Sequence, residues 1–233
     1  MKKLKLSLFF VTFLFAFLFI SHTQEINQED FIRIALWAEI DAYPGTYPAE
    51  GELKPSDNPF DYPRERLKAL STFILEGMTY GWDFEYTPSD KLRGVDEYFE
   101  LIPVKKFDKS FGKVTWTNPW IADNNIWVWM DFTRTDAMKQ YWRMWQSVNY
   151  KKIKGLGHGA LSKGFDGIKE AYEEGIKLAV REYVRRIKKN KPKEITGRIL
   201  LTGEPRLYAD SGKYAVDLDF FLELDKIVQY NQF

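Results

Sequence analysis

Six of the eight tryptophans in this 233-residue chain fall in one short stretch: Trp116, Trp120, Trp127, Trp129, Trp142 and Trp145. Indoles gathered in a cleft stack on sugar rings and on flat or cationic ligands. Between Ile126 and Thr133, Ile126, Val128, Met130 and Phe132 fill one face of a strand, leaving Trp127, Trp129 and Asp131 on the other. Three readings follow. Both faces are covered by the protein itself, or the indoles meet a ligand or glycan, or they form a protein interface. Trp120, on the preceding hairpin loop, is the indole expected to be most exposed.

A second set is the acidic row Asp217, Asp219, Glu223 and Asp225, with Asp83, Glu85 and Glu100 on candidate neighbouring strands. Carboxylates about 5–10 Å apart are what glycoside hydrolysis uses, and clusters of them bind hard cations. The solvent face of an antiparallel strand has the same pattern, and Arg198, Arg206 and Lys213 are at hand to neutralise it. The solvated face is the reading adopted, with a glycan-cleaving pair of Asp217 and Asp219 as the alternative.

A third set is basic: Arg181, Arg185, Arg186, Lys188 and Lys189, followed by Lys191 and Lys193. Cations at a helix C-terminus are favoured by the macrodipole, and Glu170, Glu173 and Glu174 stand at the opposite end of the same segment. With Lys151, Lys152 and Lys154, the set is also suited to an anionic membrane surface or an acidic polymer.

Other chemistries are excluded. Without cysteine there is no thiolate metal site, disulfide or cysteine nucleophile. His158 is the only histidine beyond the first 23 residues, which rules out a His-based zinc site, and no G-x-S-x-G elbow accompanies it. The run Gly155-Leu156-Gly157-His158-Gly159 lacks the spacing and the preceding strand of a phosphate-binding loop and reads as a flexible connector. No metal and no cofactor is expected. The balance of 34 Lys+Arg against 33 Asp+Glu carries no whole-molecule signal for nucleic acid.

The chain opens with Lys2, Lys3 and Lys5 before an apolar run from Leu6 to Ile20, the pattern of a signal peptide over residues 1–23 that directs the protein to the bacterial periplasm or outside the cell. The run is short of the ~20 residues that span a bilayer, although an uncleaved membrane anchor is the alternative. Losing three lysines changes the net charge from +1 to −2. At 17% aromatic and without disulfides, the core must rest on its rings.

The elements that would position these groups can be read from periodicity. Phe31, Ile34, Ala35 and Ala38 recur at helical spacing behind a cap at Asn27, so residues 24–62 read as a helix followed by a proline-rich segment, and 63–233 as a single domain. Asp61 and Pro63 start a second helix, with Gly77 near its end as a terminator. Residues 80–86 alternate as a strand and return through 95–104. A hairpin spans 113–133, and Thr135 caps a short helix carrying Met138, Tyr141, Trp142, Trp145 and Val148. A long helix runs from about 164 to 189, and Tyr214 to Leu224 alternates almost perfectly. The expected fold is α+β and two-layered: an antiparallel sheet of about six strands with helices packed on one face, and an α-β-β order that occurs twice, in 63–104 and 164–226, as an internal duplication would give. The expected role is a non-catalytic envelope protein that binds or assembles with a protein partner or with itself.

Overall fold

The computed structural model describes residues 29–41, 58–147 and 149–230. The signal-like segment, the Asn27 cap, most of the proline-rich segment and Val148 lie outside the described residues. The fold is α+β, with two antiparallel sheets.

The larger sheet has the order β3-β2-β7-β9-β6, built from β2 (Trp82–Thr87), β3 (Tyr98–Pro103), β6 (Lys151–Ala160), β7 (Pro192–Leu201) and β9 (Lys213–Gln229), with β8 (Arg206–Asp210) also paired to β9. Helices α1 (Asp61–Thr79) and α3 (Phe165–Ile187) pack on it. Strand β9 forms as its alternation dictates: Tyr214, Val216, Leu218, Phe220 and Leu222 are buried. In α3, Ile168, Tyr172, Ile176, Val180 and Val184 face the sheet, while Ile187, in its last turn, is exposed. Helix α2 (Asp136–Trp145), capped by the Thr135 hydroxyl, packs Trp142 and Trp145 against Leu200 and Phe221, whose neighbours Ile199, Leu201, Phe220 and Leu222 join the main core instead. Alternation along β7 and β9 thus places α2 on the face opposite α1 and α3.

Strands β2 and β7 meet antiparallel at the centre, Asp83 opposite Arg198, and each follows its own helix and is flanked by its own second strand, β3 or β9.

The smaller sheet, β1-β5-β4, corrects the expected N-terminal helix. Residues Phe31–Glu39 form strand β1, antiparallel to β5 (Asn125–Thr133), which pairs in turn with β4 (Val114–Ala122). Ile32, Ile34, Leu36 and Ala38 fit a two-residue period as well as the others fit a helical one, and pairing with Phe132, Met130, Val128 and Ile126 decides between them. Helix α1 touches both sheets, through β1 and through β7.

Two glycine positions also depart from expectation. Gly77 does not terminate α1, which continues to Thr79; a Cβ there would lie 2.5 Å from the Trp82 ring. Gly155–Gly159 is not a connector but part of β6. Its glycines face α3, where Gly167, Ala171 and Gly175 stand one turn apart, and the two backbones come into direct contact. With side chains missing from one face, the strand has no apolar alternation to announce it.

Candidate functional site

The outer face of the small sheet is built by register. Arg33 and Trp37 of β1, Trp127, Trp129 and Asp131 of β5, and Thr115, Thr117 and Trp120 of β4 share it. Trp120 stacks on Trp127 at 5.7 Å and 15°, and lies 6.1 Å from Trp129. The Arg33 guanidinium sits over Trp129 at 5.1 Å, and its Nε lies 3.6 Å from Asp131 Oδ1. Thr117 Oγ1 donates to Asp131 Oδ2 at 2.9 Å. Trp37 continues the row, buried, with its Nε1–H donated to the Leu207 carbonyl at 2.8 Å. The indoles therefore pack on one another, and Arg33 and Trp120 occupy ring faces of Trp129 and Trp127 that a flat ligand would use.

The structure separates Trp116 from this group. Thr117 pairs with Trp129, but Trp120 pairs with Trp127, so β4 takes three steps for two on β5. Asn118 within this bulge has φ 48°. The extra residue reverses the side-chain parity. Trp116 faces inward beside Met130 and donates Nε1–H to Ser71 Oγ of α1 at 3.2 Å, while Trp120 faces outward. Trp120 lies within β4 rather than on a loop and is no more exposed than Trp116, at 37% against 38%, which corrects the expectation that it would be the most exposed indole; Ile121 beside it is 63% exposed. Strand β4 is an edge of its sheet, and none of its nine residues is charged. On the opposite edge, the Glu204 carboxylate accepts the Ala35 N–H at 2.8 Å.

Three members of the acidic row face cations on neighbouring strands. Arg206 lies 2.9 Å from Asp217, Lys154 lies 3.7 Å from Asp219, and Arg198 is in register with Glu223. Arg198 also holds Asp83 at 2.7 Å, and that contact keeps its guanidinium protonated more firmly than usual. Among the described residues, no group of three or more His, Asp or Glu side chains is arranged to hold a metal ion. His158 directs Nδ1 to Glu174 at 3.4 Å.

The basic residues divide. Arg181, Arg185, Lys188 and Lys189 join Lys191 around a cavity of about 350 Å³ between the end of α3, the start of β7 and the β2–β3 connection. Arg186 turns to the other flank of α3, where it lines a groove with Lys152 and Lys154. Tyr86 and Glu97 also line the cavity, reached only through tertiary packing. The Tyr86 hydroxyl donates to Glu97 at 3.0 Å, and Lys177 meets the same carboxylate at 2.9 Å. Burial, reinforced by Glu97, drives the Tyr86 phenol well above its ordinary range, so it stays a proton donor.

The chain belongs to an uncharacterised protein family whose model matches residues 20–230. It is similar to a protein of Treponema pallidum (strain Nichols) described as "Uncharacterized protein", with 28% identity over 200 residues, 86% of this chain and 82% of that relative. No solved structure matches.

Proposed function

We propose that this is an exported, non-catalytic envelope protein that assembles with a second copy of itself through the edge of β4. The observation that carries the reading is that edge. Natural sheets blunt open edges with charges, prolines or bulges, or cover them; Val114–Ala122 has Pro119 and a bulge at its middle, but it is uncharged, uncovered among the described residues, and exposes Trp116, Trp120 and Ile121. Tryptophan is enriched in protein interfaces. A two-fold contact sets a surface against its own copy, and an uncharged antiparallel edge meets itself without like-charge repulsion. Export is supported by the lysine-led apolar run of residues 2–20; among the described residues no helix is long and apolar enough to cross a membrane. A non-catalytic role is supported by the cross-strand pairing of Asp217 with Arg206 and of Asp219 with Lys154.

Sedimentation velocity on the purified protein tests the reading. The expected result is a dimer that Trp120→Lys and Ile121→Lys each convert to a monomer. A monomer at every accessible concentration, or a dimer indifferent to both substitutions, rejects assembly through β4. N-terminal sequencing of the protein recovered from the periplasm of an expressing bacterium tests export.

A further inference from the structure

We propose that the cavity at the end of α3 binds the phosphate group of a small phosphorylated ligand. Five cations, Arg181, Arg185, Lys188, Lys189 and Lys191, surround it, and Glu97 is the one carboxylate in its lining. Glu97 is engaged by Lys177 and by the Tyr86 hydroxyl, Arg185 is paired with Glu182 at 2.9 Å and Lys191 donates to the Ser89 carbonyl, so the positive charge left for a ligand is chiefly that of Arg181, Lys188 and Lys189. Its volume, about 350 Å³, belongs to the range of small-molecule sites.

A helix C-terminus favours cations, and that preference alone would place basic residues here. It does not account for the arrangement. The macrodipole presents roughly half a negative charge, less than Arg181, Lys188 and Lys189 together supply. Nor does it explain convergence, because these residues come from both α3 and the segment entering β7 and close on one hollow. The Nε of Arg181 is buried without a hydrogen-bond partner, while the rest of its guanidinium faces the Tyr86 hydroxyl and Glu97. Arginine forks and lysine ammonium groups together are suited to the several oxygens of a phosphate. Val184, Pro192 and Ile195 supply an apolar wall for the remainder of the ligand. This proposal does not depend on the β4 edge.

Isothermal titration with inorganic phosphate and with glycerol phosphate at constant ionic strength, alongside flotation with phosphatidylglycerol or phosphatidylcholine vesicles, tests the proposal and locates the source of the phosphate. Saturable binding of either soluble phosphate, weakened at least about tenfold by the exposed double substitution Lys188→Gln/Lys189→Gln and by Arg181→Gln, is the expected result. If phosphatidylglycerol vesicles also bind and glycerol phosphate displaces the protein from them, the site takes the phosphate from a lipid headgroup; if vesicles do not bind, from a soluble ester. The double variant should melt at the wild-type temperature, separating loss of binding from loss of folding. No saturable binding of any of these probes, binding unchanged in the double variant, or vesicle binding that glycerol phosphate does not displace would overturn the proposal.

Discussion

Gly157 of β6 lies against Ala171 of α3 so closely that a Cβ added to the glycine would fall 2.0 Å from the Ala171 carbonyl oxygen. Backbone, not a movable side-chain end, occupies that space. Gly157→Ala must therefore push the strand and helix apart, at a cost of about 3 kcal/mol or more. Gly94 supplies the control: its φ is +65° and nothing lies within 4 Å, so Gly94→Ala costs only about 1 kcal/mol of backbone strain. Equilibrium urea unfolding of the two variants checks the order; equal losses would contradict the close packing of β6 on α3.

Asp90 ties the β2–β3 connection together. Its carboxylate accepts from the Leu92 N–H at 3.1 Å and from Arg93 Nη1 at 2.7 Å. The Arg93 contact holds its pKa below the ordinary 3.8, so the stabilisation is complete above that value and is lost as pH falls through the lower, folded one. Urea midpoints measured from about pH 7 down to about pH 2 should show Asp90→Asn less stable than wild type at neutral pH, with the gap closing in acid. A gap that stays constant across the range would refute this linkage.

Arg134 is buried between α1 and α2, donating Nη1–H to the Met78 carbonyl at 2.7 Å with its guanidinium 4.7 Å from the Trp142 ring. Burial lowers its pKa to about 10. Arg134→Met keeps much of the volume but strands a carbonyl and removes the cation from the indole, which should cost about 2 kcal/mol. Thermal unfolding followed by tryptophan fluorescence is the measurement, and a stability equal to wild type would contradict the role given to this residue.

The acidic row should behave as an ion-paired surface. Asp217 meets Arg206 on an exposed strand pair, so Asp217→Asn is expected to change stability by no more than about 1 kcal/mol, with an effect that shrinks in high salt. A melting temperature raised by millimolar calcium in wild type, and not in this variant, would instead reveal a metal site.

The parts of the fold legible in the sequence are those with a single period. Tyr214 to Leu224 and the stripe from Ile168 to Ile176 allowed little choice, and the helix–strand–strand order followed from them. Strand β1 is ambiguous in the sequence because Ile34 and Ala38 satisfy both periods, and only contact with β5 favours one. Strand β6 was hidden because its information lies in missing side chains: Gly155, Gly157 and Gly159 mark a face that touches backbone. Among the site residues, the alternation of Trp127 and Trp129 was legible. The opposite facing of Trp116 and Trp120 was not, since one extra residue at Asn118 reverses parity. The basic set could be read along α3, yet its division between Arg185 and Arg186, and its closure over Glu97 and Tyr86, depend on strands far away in the chain.

Strand β1 has a consequence for synthesis. It leaves the ribosome well before the strand that satisfies it, which begins only at Asn125. Until β5 appears, Ile32, Ile34, Leu36 and Trp37 have no sheet to cover them, and the nascent chain carries an adhesive segment until Asn125–Thr133 has been made. A holding chaperone that grips such a segment would find its target here, in the first strand of the finished fold, and would have to release it before the small sheet could close.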